Sequence, residues 1–160
     1  MSETEQRWAA LRADDSGVTA TLIRFDDEAK IGDFTERFAA GAISPRDDLI
    51  VNLQHDRMRP VARTGAGLTL ATHADRIDVR IDWPETQYAR EAAELVNAGI
   101  VRGVSMEFRS DSEQWAGRAR TITNATLFGL ALVDRPAYPG SVIHKRWSDS
   151  AVMRTRKFWV

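Results

Sequence analysis

Residues 76–83 alternate without a break: Ile77, Val79, Ile81 and Trp83 fall on one parity, Arg76, Asp78, Arg80 and Asp82 on the other. Successive side chains of a β-strand point to opposite faces, so this stretch has one dry face and one wet face. A helix would scatter the same residues around its axis. A chain that commits one segment this firmly to a half-buried sheet must supply partner strands, and several candidates are present. Residues 18–25 are rich in apolar and β-branched side chains and follow Gly17. Residues 49–55 set Leu49, Val51, Leu53 and His55 on one parity. Residues 67–72 and 76–83 read as a hairpin-like pair around His73-Ala74-Asp75. Residues 102–109, 119–122 and 126–133 complete the set, the last apolar throughout from Leu127 to Val133, as in a strand covered on both sides.

Helical signals are few. Phe34 and Phe38 stand four apart within residues 33–40, with Gly41 placed to end a short helix. Residues 84–98 open on Pro84, carry an apolar stripe of Ala89, Ala92, Ala93 and Val96, and close at Gly99. Residues 1–16 look like a loosely held lead-in with helical character around Trp8 and Leu11. The expected organisation is a flexible lead-in (1–16), one domain (17–143) and a C-terminal tail (144–160). The expected fold is a β-rich α+β domain, a closed or nearly closed barrel with a few surrounding helices.

Composition narrows function by exclusion. The chain has no cysteine, which removes thiolate catalysis and cysteine-ligated zinc. A net charge of −1 over 160 residues gives no global reason to bind nucleic acid. No apolar run approaches the ~20 residues of a membrane span, and no basic region followed by an apolar one opens the chain, so a soluble, non-secreted protein is expected. The tail carries Lys145, Arg146, Arg154, Arg156 and Lys157 against Asp149 alone, interleaved with Trp147, Phe158 and Trp159. Such a tail is capable of touching an acidic partner, but a loosely docked terminus is the plainer reading, and nucleic acid is not expected.

A covalent hydrolase without cysteine needs a hydroxyl nucleophile and a base, and only three histidines are present. Gly103, Ser105, Glu107 and Arg109 share the polar parity of their run, opposite Val104, Met106 and Phe108. Gly103 leaves room for a backbone or a substrate beside Ser105. His55, ending its own apolar run, is the candidate imidazole. Spacing alone also allows a merely solvated serine and a histidine satisfied in the core. Other chemistries find less support. Gly65-Ala66-Gly67 is too short for a dinucleotide fingerprint, and Gly103-Val104-Ser105 lacks the second glycine of a nucleophile elbow. The doublets Asp14-Asp15, Asp26-Asp27 and Asp47-Asp48 lack the alternation of a calcium loop. His73, Asp75 and Asp78 would hold a metal only if the hairpin brought them together, so neither metal nor cofactor is expected.

Five blocks in order then acquire a common meaning. They are Phe34-Thr35-Glu36-Arg37-Phe38-Ala39-Ala40-Gly41-Ala42; Asn52-Leu53-Gln54-His55-Asp56 running on to Pro60-Val61-Ala62-Arg63-Thr64; Asp82-Trp83-Pro84-Glu85-Thr86; Gly103-Val104-Ser105-Met106-Glu107-Phe108; and Leu130-Ala131-Leu132-Val133-Asp134-Arg135-Pro136-Ala137-Tyr138-Pro139. Together they resemble the prohead maturation proteases of tailed bacteriophages, a family related in fold to herpesvirus assemblin, over about residues 18–142. The chain departs from the family pattern at Ile43, where phenylalanine is usual, in extra spacing before His55, at Glu107, where glycine is usual, and at Gly129, where relatives often carry an acid.

The resemblance implies a serine endopeptidase working through an acyl-enzyme, with Ser105 as nucleophile and His55 as general base. For the third member it leaves Asp134, placed first, Glu107, and His144, or no third member at all. It further implies cleavage of the major capsid protein precursor and its scaffolding segment inside the immature procapsid, in the host cytoplasm, with cleavage of the protease itself. Relatives in the herpesvirus group imply self-association, a dimer being one form and residues 86–98 one contact surface. The alternative is a protease-like scaffold or capsid-assembly protein without turnover.

Overall fold

The computed structural model describes residues 4–134. In chain order these form β1 (Thr4–Ala10), β2 (Arg12–Ala13), β3 (Gly17–Arg24), β4 (Ala29–Ile31), β5 (Phe34–Phe38), β6 (Ile43–Pro45), β7 (Ile50–Leu53), β8 (Asp56–Thr64), β9 (Gly67–Thr72), β10 (Arg76–Asp82), the helix α1 (Gln87–Asn97), β11 (Gly103–Ala116) and β12 (Ala119–Val133). One sheet joins them along the path β1-β11-β12-β7-β8-β9-β10-β3-β2. Leu11 alone separates β1 from β2, so the two ends of that path are consecutive in the chain. One kinked strand pairs with β11 before Leu11 and with β3 after it. The sheet thereby wraps into a nearly closed barrel, filled by its own side chains as small barrels are. Val104, Met106 and Phe108 of β11 meet Leu130 and Leu132 of β12, Val51 and Leu53 of β7, and Ile77, Val79 and Ile81 of β10 in a continuous buried cluster.

Strand β12 organises the half that matters for function. One edge follows β11 along its length, while the other takes β5, β6 and β7 in succession as parallel partners. Residues 34–53 are thus laid along β12, and the turn after β7 arrives beside Leu132.

The barrel interior also holds charge. Arg7 of β1 is only 3% exposed and grips Glu36 of β5, itself 1% exposed, with Nε and Nη2 each 2.9 Å from a carboxylate oxygen. Its guanidinium lies 5.4 Å from the centre of the Phe108 ring. Arg120 of β12 adds a 3.0 Å bond to Glu36, two 2.7 Å bonds to Glu5 and an ion pair with Glu113. A buried pair broken on one side leaves an uncompensated charge, so this network holds β1 in register with some force.

Several expectations change. The lead-in is not loose: residues 4–13 are two strands that close the barrel. Residues 33–40 are not helical. Ile31 opposes Phe34 across a two-residue turn in which Gly32 takes φ +57°, and β4 and β5 form a hairpin. A spacing of four is also an even number, so Phe34 and Phe38 satisfy a strand's period as well as a helix's. Strand β8 was not expected, and residues 119–133 are one strand rather than two. A single helix stands among the described residues, begun at Thr86, whose Oγ1 accepts the Ala89 N–H at 3.3 Å. That helix is too short and polar to cross a membrane. The tail at 144–160 lies outside the described residues.

Candidate active site

Ser105 sits on β11 between Trp8 of β1 and Ala131 of β12, its register partners. Partners across an antiparallel pair share a face. The outer face therefore carries Gly103, Ser105 and Glu107, with Ala10, Trp8 and Gln6 on one side and Val133, Ala131 and Gly129 on the other. This face is not wet at the serine: Ser105 is 0% exposed. Gly103 serves a different purpose from the one expected. A methyl group there would lie 2.6 Å from Trp8 Cε3, so the indole ring, not a foreign backbone, takes the space that glycine leaves. Ser105 Oγ is buried without a hydrogen-bond partner among the described residues.

His55 does not continue β7. Leu53 pairs with Asp56, leaving Gln54-His55 as a two-residue hairpin turn. Both residues have positive φ, +54° and +60°, the requirement of a type I′ turn normally met by Asn-Gly. Holding non-glycine residues there costs about 1–3 kcal/mol each, so surrounding contacts must fix them. Those contacts are visible: the Gln54 N–H donates to Leu132 O at 2.8 Å, and Gln54 Oε1 accepts the Asp134 N–H at 3.1 Å. Anchored to the end of β12, the turn swings the imidazole over the outer face. His55 Nδ1 lies 2.6 Å from Glu107 Oε1, with the two side chains 27% and 23% exposed. Glu107 in turn leans across its register partner Gly129, where an added Cβ would be 3.0 Å from Oε2.

The structure brings His55 to Glu107, and Glu107 stands two residues, about 6.8 Å of strand, from Ser105 on the same face. Asp134, placed first as third member, is engaged through its main-chain N–H with Gln54, and no bond joins its carboxylate to His55. His144 and the Pro136 loop lie outside the described residues. Arg109 turns to Asp111 at 2.8 Å. His73 does reach Asp78 at 3.3 Å, but Arg76 bonds both Asp75 and Asp78, and no group of three or more metal-binding side chains forms among the described residues. Trp8 and Gln54 were passed over in the sequence as site residues. Gln54 adjoins the histidine, the one signal that marked it.

A carboxylate only accepts, so in a neutral imidazole the Glu107 contact selects the tautomer protonated on Nδ1, in which Nε2 carries the lone pair. Nε2 is buried and has no partner among the described residues. A base and a hydroxyl are thus both unspent on one face of β11–β12–β7. No hydrogen bond yet joins them, as is common before substrate tightens a catalytic site.

A family model described as caudovirus prohead serine protease matches residues 4–155. No curated protein and no solved structure gives a significant match.

Proposed function

Because the chain belongs to the caudovirus prohead serine protease family, we propose that it is the endopeptidase of capsid maturation, with Ser105, His55 and Glu107 as its catalytic set. His55 Nε2 takes the hydroxyl proton as Ser105 Oγ attacks a peptide carbonyl; the same proton passes to the leaving amine as the C–N bond breaks. Water then enters, and His55 repeats the transfer to release the acyl group. The Glu107 carboxylate faces the imidazolium and stabilises it. The observation that carries this is the 2.6 Å His55–Glu107 contact, which fixes the tautomer a base requires.

Two of the departures from the family pattern, Glu107 and Gly129, support the same assignment. Glu107 and Gly129 face each other in register, so the acid absent from β12 stands on β11 directly opposite, and the glycine opposite provides its room. Substrates are the capsid protein precursor and its scaffolding segment, met inside the immature shell, and the chain cuts itself once that work is done. Self-association accompanies this, as the herpesvirus relatives imply.

The test is co-expression with the capsid precursor. Ser105→Ala and His55→Ala each abolish cleavage while leaving the fold intact; processing that survives both changes removes the assignment. One observation favours a second reading: Ser105 Oγ and His55 Nε2 are both shut from solvent and not bonded to each other. A protease-like assembly protein without turnover has this property too. It is preferred if the wild-type chain supports shell assembly while the precursor stays uncut.

A further inference from the structure

We infer that Trp8 decides which side chains fit beside the scissile bond, making it a specificity-determining residue of the protease proposed above, on which this inference rests. Trp8 and Ser105 are register partners on neighbouring strands, which sets their Cβ atoms about 4.5–5.5 Å apart on one face. The indole lies down over Gly103: a methyl at 103 would be 2.6 Å from Cε3, 3.0 Å from Cζ3 and 3.3 Å from Val133 Cγ2. On the opposite side of Ser105 the Glu107 carboxylate rests on Gly129 and holds His55. The hydroxyl therefore stands in a slot with an aromatic wall, a polar wall and a floor of small residues, Gly103, Ala131 and Gly129.

The two walls are not interchangeable. The polar side must stay open to proton transfer, so a substrate side chain next to the scissile bond is pressed against the indole and Val133. Ser105 is 0% exposed, so the space beside its hydroxyl is closely covered before a substrate arrives. The wall is also stiff. Arg7, one residue before Trp8, is locked to Glu36, and Ala9, one residue after it, is buried. A glycine, alanine or serine side chain suits such a space; a leucine or phenylalanine does not.

The test uses the full chain and peptides that vary only in the two residues flanking the cut, with a small fluorophosphonate to report whether Ser105 is reactive. In the wild type, kcat/KM falls about 10-fold or more between alanine and leucine at one flanking position. Trp8→Ala reduces that ratio by about 10-fold, and Trp8→Phe reduces it less. Should Trp8→Ala not fold, Trp8→Phe and Trp8→Leu carry the comparison. Variants that label and cleave with an unchanged ratio overturn the inference and leave the protease assignment standing. A folded wild type that neither labels nor cleaves removes the assignment and this inference with it.

Discussion

Replacing Glu107 by glutamine keeps the shape of the side chain and deletes its charge. In the proposed mechanism His55 becomes an imidazolium in the transition state, facing that charge through a contact of 2.6 Å. Charge centres about 4 Å apart at an effective dielectric near 20 interact by about 4 kcal/mol. Both side chains are roughly a quarter exposed, so solvent screens part of this. At about 1.4 kcal/mol per decade, Glu107→Gln is expected to lower kcat/KM by about 10²–10³. The amide also presents a donor to Nδ1, which favours the wrong tautomer. Stability should move little, by ~1 kcal/mol or less for a pair that still reaches solvent. The assay is peptide cleavage beside thermal unfolding of the same samples. A companion pair of variants tests the geometry itself. Gly129 has no positive φ to protect, and the atoms nearest to a Cβ added there all belong to Glu107. In a Glu107→Gly chain that space is clear, and adding Gly129→Asp should restore activity about 10-fold or more over Glu107→Gly alone. A Glu107→Gln enzyme as active as the wild type would refute the orienting role, and a failed rescue would refute the idea that the acid serves equally from either strand.

Glu36→Gln strips the charge from a carboxylate that receives three bonds from Arg7 and Arg120. A loss of about 3–5 kcal/mol in urea unfolding is expected, and a loss below about 1 kcal/mol would mean the network does not hold β1. Acid should weaken the same end of the barrel. Burial alone raises the Glu5 carboxyl, but Arg120 and Arg7 bring it below its ordinary value; Asp111 is lowered by the Thr126 hydroxyl and Arg109. A carboxyl lowered by folding contributes its full stabilisation above the unfolded value and loses it as pH falls through the folded one. Melting temperature should therefore decline as pH drops below about 4.5, and Glu5→Gln should flatten that decline.

What was readable in the chain depended on whether burial and polarity ran together. At 76–82 they do, with Ile77, Val79 and Ile81 buried and the charged residues outward, and β10 came out as expected. In β1 they are inverted: Arg7 points into the barrel and Trp8 outward, so a strand looks like an irregular lead-in. Arg7 is tolerable inside only because Glu36, 29 positions away, meets it there. Strand β8 hid for another reason, since Met58 and its neighbours are exposed and Pro60 breaks the pattern. For the site, Ser105 and His55 were legible as types, and Glu107 as a member of the same polar strip. The contact that favours proposing Glu107 over Asp134 depends on residues 54 and 55 forming the turn, a fact carried by backbone angles rather than by composition.

The closing of the barrel by a single bent strand governs when the outer face around Ser105 is completed. Residues 4–10 find their partners at 103–109, almost a hundred positions downstream. Such remote pairing is slow and late. The indole beside the hydroxyl cannot be in place until residues 103–109 are available to pair. The order in which these two strands become available thus sets when that outer face is completed.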